Sequence, residues 1–508
     1  MSRNSPRSVI PISPAFLGPG RNDVSIDLRE FLDILNAGGF MNLSRRNFIK
    51  KLGISLAVVN MAAKNLVCGK KKDTEGSENL LLKNPDQPEP APLGYDRLPL
   101  EWYKQTVKEL KQSVAEQGVD AILLESDLNK VYFTGCFRSS GERSTWVLFP
   151  MNEEDTVYWF SPGIDRDLIT SWWCTENEYY FCYPQAEGGF PNRGQVVRGK
   201  QVDLFEWMLE RLKKRGYGNK IIGTDMHFHT SQQQKIRKLV PNIRFINISN
   251  LCQKMRIIKK PGEIALTQRA YRYFDKIHAF ARDYILERGT ETTDFEIGQA
   301  LQAYGIKLMM NDVKRDGKPH TAIGIEVTSQ YVRAGIATAY PHPNQFFYNK
   351  VEKGKPLYVN TDIKLGGYGG EGYRNYLIAP WTPHQEKMWH VVADCVRIQV
   401  EESKPGVACS EVAYKIHQYQ VKHGMQDYIY HRPAHGSGQN FEGHQPPFIS
   451  LGDHTLIEEG MTFSVEPGLY DAKNGIGINP SDNLLITKNG GILMSSVPFS
   501  EEWSFLRL

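Results

Sequence analysis

Three short stretches in the last third of the chain constrain it most. They are Asp362-Ile363-Lys364 running on to Tyr373, His435-Gly436-Ser437-Gly438-Gln439, and Val465-Glu466-Pro467-Gly468. Carboxylates, an imidazole and glycine-flanked turns at these points make an active-site frame. At 508 residues the chain is too long for one ordinary core and implies two domains with appendages. Its 41% hydrophobic and 23% charged residues are those of a globular protein, neither disordered nor membrane-spanning. A net charge of +4 is small for this length and gives no reason to expect nucleic acid as a partner.

Periodicity predicts a helix over 101–117 closing at Gly118, then a short buried strand over 121–124. Strand, turn and helix signals alternate through 145–149, 156–160, 202–216, 221–224 and 231–239, the pattern of an α/β domain. Beyond it, helices are expected over 264–288, 294–304, 384–402 and 409–423, and strands over 358–363, 461–465 and 484–487. The domain limits read from this are 97–255 and 256–508, with a leader over 1–72 and a Pro-rich disordered tether over 73–96.

The three opening stretches resemble the catalytic domain of the creatinase / Xaa-Pro aminopeptidase / prolidase family, the M24 peptidases of pita-bread fold. Met255-Arg256-Ile257-Ile258-Lys259-Lys260-Pro261-Gly262-Glu263-Ile264 resembles that family's entry into its catalytic domain, and Val131–Gly135 a segment of its N-terminal domain. The resemblance covers about residues 95–508 and implies an α/β (α+β) architecture in two parts. It also implies two divalent metals held by two Asp, one His and two Glu.

Set against that ligand set, Asp362 matches the first Asp and Glu466 the first Glu, while Tyr373, Gln439 and Ser481 fall on the other three positions. Glu371, two residues before Tyr373, would share its strand face about 7 Å away, an awkward substitute. His342 matches the family's substrate-contacting His, His435 keeps its His-Gly position, and His444 approximates a later one. The expectation is therefore a site with no metal cofactor. In it His342, Glu466 and His435 are catalytic, and Asp362, Glu371, Tyr373, Gln439 and His444 bind substrate. Asp362, Glu371 and Glu466 would leave the cleft negative and favour a small cationic or peptide-like substrate whose C–N bond is hydrolysed, His342 serving as acid/base. Two alternatives stay open: a conventional Xaa-Pro aminopeptidase carrying two Mn, Zn or Co ions, and a non-catalytic peptidase-like binding protein.

The N-terminal region reads as an address. Ser44-Arg45-Arg46-Asn47-Phe48-Ile49-Lys50 precedes a modest apolar stretch and resembles a twin-arginine export signal, with Met41 a candidate start. The Tat export machinery is thus an expected partner. Cys68 is a candidate lipid anchor, and the location expected is periplasmic or membrane-anchored. Were the chain exported, Cys174 and Cys182 would be the first pair to test for a disulfide. The resemblance further implies a homodimer, with Arg138, Arg143, Trp172 and Trp173 as candidates to close a partner's site.

Overall fold

The computed structural model describes residues 76–508, apart from 96, 138–140, 182–185, 188–199, 314–324, 330, 343–347 and 439–442. The twin-arginine stretch, Cys68, Arg138, Cys182 and Gln439 lie outside the described residues.

The N-terminal part is a six-stranded mixed sheet. Its strands are β1 (Ala121–Leu124), β2 (Trp146–Pro150), β3 (Tyr158–Pro162), β4 (Glu176–Tyr180), β5 (Ile221–Thr224) and β6 (Arg244–Asn247), in the order β4-β3-β2-β1-β5-β6. β1 pairs parallel to β5 and antiparallel to β2. Every residue of β1 and β2 is buried, which explains their unbroken apolar runs: both faces of the sheet are covered. The helix Leu100–Val114 covers one face, and Gly118, at φ 66, ends its 3-10 extension in the left-handed conformation that a helix stop favours. Trp173 is sealed in this part with its indole N–H on the Asp155 carbonyl, and the Trp172 indole donates to the Thr134 carbonyl beneath the Arg97 guanidinium. Trp173 therefore has no surface with which to close another subunit's cleft.

Among the described residues the C-terminal part contains two five-stranded sheets backed by helices, with a small pair of strands, Leu469–Asp471 and Ile476–Ile478, beside them. The first contains β7 (Ile325–Thr328), β8 (Arg333–Ala334), β9 (Pro356–Leu365) and β10 (Tyr368–Ile378), with Phe505–Leu506 on the far edge. Helices α1 (Pro261–Arg288) and α2 (Asp294–Asp312) pack on it. The second contains β11 (Ala434–Gly436), β12 (Gln445–Ile449), β13 (Thr462–Val465), β14 (Asp482–Thr487) and β15 (Gly490–Leu493), in the order β12-β11-β13-β14-β15. Helices α3 (Pro383–Glu402) and α4 (Cys409–Lys422) cover it. Thr382 caps α3 reciprocally: its hydroxyl accepts from Gln385 N at 3.2 Å, and its own N–H donates to the Gln385 amide oxygen at 2.7 Å.

Two details position the site. β9 and β10 are joined by Gly366-Gly367, both at positive φ, as a two-residue hairpin turn of this hand requires. That turn pins the register, setting Asp362 opposite Glu371 and Asn360 opposite Tyr373. The two sheets are then tied by a reciprocal backbone pair, Tyr373 N to Ser481 O and Ser481 N to Tyr373 O, each 3.0 Å. Arg374 reinforces the seam: fully buried, it donates to the Ser481 carbonyl at 2.6 Å and pairs with Asp482 at 2.7 Å.

The disordered tether expected over 73–96 does not hold for its described residues. Ser77 donates its N–H to Asp283, the Gln87 amide reaches the carbonyls of Leu493, Met494 and Ser495, and Ala91 N–H bonds the Ala265 carbonyl. The prolines make this strap extended, and it is fixed by groups on α1 and at and after the end of β15. Among the described residues no helix is long and apolar enough to cross a membrane.

Candidate active site

A cleft of about 350 Å³ opens where the two sheets meet, lined among others by His342, Tyr358, Glu371, Tyr373, Arg432, His435, His444 and Glu466. Its floor comes from alternation on three strands. His435 on β11 lies beside Ser464 on β13, and Glu466, two residues on, falls on the same side. Glu371 arrives from the other sheet, brought across by the Tyr373–Ser481 seam.

His435 Nε2 lies 3.2 Å from Glu371 Oε1 and 3.2 Å from Glu466 Oε1. Its Nδ1–H donates to the Gly436 carbonyl at 3.1 Å, which fixes the ring. The Ser464 hydroxyl touches both carboxylates, at 2.9 Å and 3.1 Å, and the Ser481 hydroxyl at 3.2 Å. The phenol of Tyr373 donates to the second Glu371 oxygen. The His444 ring packs against His435 with centroids 3.9 Å apart, tilted by 47°.

Charge is distributed unevenly over this floor. Burial by itself would lower the His435 pKa, but the hydrogen bonds and charges of Glu371 and Glu466 raise it to about 10. Burial would raise Glu371, yet the His435 hydrogen bond and its other donors hold it below the usual carboxylate range. Glu466 goes the other way, pushed up by burial and by the Glu371 charge. His444 is lowered by burial and by the neighbouring His435.

The sequence-predicted residues do not all converge. Asp362 shares the Glu371 face, but it does not line the cleft. Its Oδ2 accepts from Thr328 Oγ1 at 3.1 Å, and its Oδ1 is buried without a partner among the described residues. Tyr373 does line the cleft, as a hydrogen-bond donor to Glu371 rather than as a displaced ligand. Glu371 itself, expected to bind substrate and to be an awkward substitute as a ligand, is the carboxylate that reaches His435: the pairing seam, not strand rise along one chain, decides what it meets. Ser481 is fully buried beneath Ser464, and His342 stands exposed at the rim.

Three contributors were not foreseen. Arg432, three residues before His435, lines the cleft with its guanidinium 4.7 Å over the Phe448 ring, and its Nε is buried without a partner among the described residues. Ser464 is the hydroxyl that links both carboxylates. Tyr358 forms an aromatic wall with Tyr373, ring centroids 5.1 Å apart, under Arg333. Strand alternation back from Glu466 would have indicated Ser464. Nothing local marks Arg432. Its presence, with four histidines at the cleft, also corrects the expectation of a purely negative site.

Comparison with known proteins agrees with this architecture. Residues 265–488 match metallopeptidase family M24, and residues 107–258 match the creatinase/prolidase N-terminal domain. A putative dipeptidase of Bacillus subtilis is 23% identical over 77% of this chain and 98% of its own length. An Xaa-Pro dipeptidase of Pyrococcus horikoshii is 25% identical over 76% of this chain and 95% of its own. The crystal structure of an X-Pro aminopeptidase from Thermotoga maritima superposes with a TM-score of 0.62 at 19% identity, covering 79% of this chain and 99% of that one. At that identity the likeness is one of fold, and the fold is the expected creatinase-like α/β domain followed by a pita-bread domain.

These findings overturn the expectation of a site without a metal cofactor. The matched family is one of metallopeptidases, and Glu371, His435 and His444 present donor atoms within 4.8 Å of one another, the spacing a metal ion needs. The expectation failed because it assigned ligand roles to Asp362, Tyr373 and Gln439, whereas the fold brings Glu371 and His435 to the centre. Imidazole and carboxylate donors suit zinc or manganese.

Proposed function

From its two domains, those of metallopeptidase family M24 and of the creatinase/prolidase N-terminal family, we propose that this chain is a hydrolase of C–N bonds in short peptides, acting as an Xaa-Pro dipeptidase does. The observation that carries the reading is the meeting of Glu371, His435 and Glu466 on the floor of a peptide-sized cleft inside the M24 domain.

The cleft is polarised, which suits a dipeptide. Arg432 lines the cleft and offers its guanidinium to a free carboxylate, and Tyr358 and Tyr470 give apolar walls for a side chain or proline ring. The scissile carbonyl then lies over Glu371, His435 and Glu466. A divalent cation on Glu371, His435, His444 and Glu466 would polarise that carbonyl and make a bound water more acidic. Tyr373, donating to Glu371, holds this carboxylate in one orientation. Glu466 accepts the proton of the attacking water, and His342 at the rim returns a proton to the leaving nitrogen. A carboxylic acid and an amine are released, and one water is consumed.

The site is tested by incubating purified protein, supplied with zinc or manganese, with Xaa-Pro and other dipeptides and measuring the free amino acids released. Turnover of dipeptides with a free carboxylate supports the reading. Absence of hydrolysis across the whole panel, with ligand binding retained, would replace it by a binding function.

The Ser44–Lys50 stretch supports export by the twin-arginine route. Fractionation of cells lacking the twin-arginine translocase is the check, and unaltered export would remove that part of the proposal.

A further inference from the structure

The family resemblance implies two cations, and the described residues around this cleft do not supply two sets of anionic donors. We infer that the cleft holds a single divalent cation, on Glu371, His435, His444 and Glu466. The inference rests on the reading of this cleft as the reaction site, and concerns how many cations it takes.

The donors for one cation are in place. His435 Nδ1–H is committed to the Gly436 carbonyl, so Nε2, the atom that faces Glu371 and Glu466 at 3.2 Å each, is the nitrogen on which a cation would take the place of the proton. His444 packs against that ring and completes a set within 4.8 Å with Glu371 and His435. Two carboxylates balance one divalent charge. Two imidazoles with two carboxylates match a four-coordinate zinc site, or three ligands and a water should one carboxylate serve as base.

For a second cation, the neighbouring positions among the described residues are neutral and already committed. The Ser464 hydroxyl is shared among Glu371, Glu466 and the Ser481 hydroxyl. Ser481 is fully buried, with both backbone polar groups locked to Tyr373. The second oxygen of Glu371 is taken by the Tyr373 phenol, so a bridging role would have to break that bond. Asn360, opposite Tyr373, is a neutral amide whose oxygen accepts the Tyr331 N–H at 3.0 Å. Asp362 is turned to Thr328 and does not line the cleft. Two cations would therefore place four positive charges against the two carboxylates that the described residues bring to the cleft, a largely buried pocket where uncompensated charge is expensive.

The test counts metal and does not depend on activity. Full-length protein is stripped with a chelator, reloaded with zinc, freed of excess by gel filtration and analysed by elemental mass spectrometry. About one zinc per chain is expected; two per chain, or none, overturns the inference. His444 is exposed, so His444→Ala should fold. In competition with a chromophoric chelator it should bind zinc at least about 10-fold more weakly, and unchanged affinity would remove His444 from the ligand set. The two readings fail separately. One zinc without peptide hydrolysis ends the proposed function alone, whereas two zincs with hydrolysis end the single-cation inference alone.

Discussion

Glu371 and His435, held on different sheets and 64 positions apart in sequence, meet at 3.2 Å because one backbone pair, Tyr373 with Ser481, stitches those sheets together. The chemistry of the cleft depends on that seam. Glu371 stands within reach of His435 only while β10 and β14 stay in register across it.

Glu371→Gln should lower kcat/KM for dipeptides at least about 100-fold, since it removes the carboxylate facing His435. Asp362→Asn should keep activity within about 10-fold, because that side chain is turned to Thr328. Steady-state kinetics on both variants checks the assignment, and the reverse order of severity would return the role to Asp362.

His342→Ala should cost roughly 100-fold or more in kcat if this rim imidazole returns the proton to the leaving nitrogen. Substrates with better leaving groups should suffer less. An equal loss for all leaving groups would make His342 a binding residue.

Arg432→Gln should raise KM for dipeptides with a free carboxylate by roughly 10- to 100-fold, the worth of a charge-assisted hydrogen bond. Amidated dipeptides should be poor substrates of the parent protein and little affected by the substitution. Parallel progress curves on the two substrate forms decide the matter.

The Arg374–Asp482 pair is a stability element. Both side chains are out of solvent, and Arg374 also serves the carbonyls of Tyr373, Ser481 and Val497. Arg374→Met strands Asp482 as a buried unpaired charge and should destabilise by about 3–5 kcal/mol in urea unfolding.

Asp275, bonded to Ser496 N–H at 2.7 Å and lying near Arg272, is pushed by burial from 3.8 to about 7. The folded state then binds the proton more tightly than the unfolded chain, so stability falls as pH rises from about 4 to about 7 and stays lowered above that. Asp275→Asn keeps an acceptor for Ser496 and cannot ionise. It should reduce the loss between pH 5 and pH 8 by on the order of 1–3 kcal/mol, measured by urea unfolding at the two values.

Local chemistry in the sequence determined a good deal. Apolar runs and their stops marked most of the longer helices and several of the strands within a few residues, because burial and hydrogen-bond closure act over short segments. The helix over 264–288 begins three residues earlier, at Pro261, a residue preorganised for a first helical turn. The second helix, expected to close at 304, runs on to Asp312, since Gly305 packs against Ile277 where a larger side chain would not fit. Glu466 and His435 were also marked in advance, each within its own motif. The partners of those residues were decided only by tertiary structure. Which carboxylate reaches His435 depends on the Gly366-Gly367 turn that pins one hairpin and on the seam that joins it to a second sheet. Spacing along a single strand carries no information about such a contact between sheets. That is why Glu371 looked misplaced in the sequence and stands at the centre of the fold.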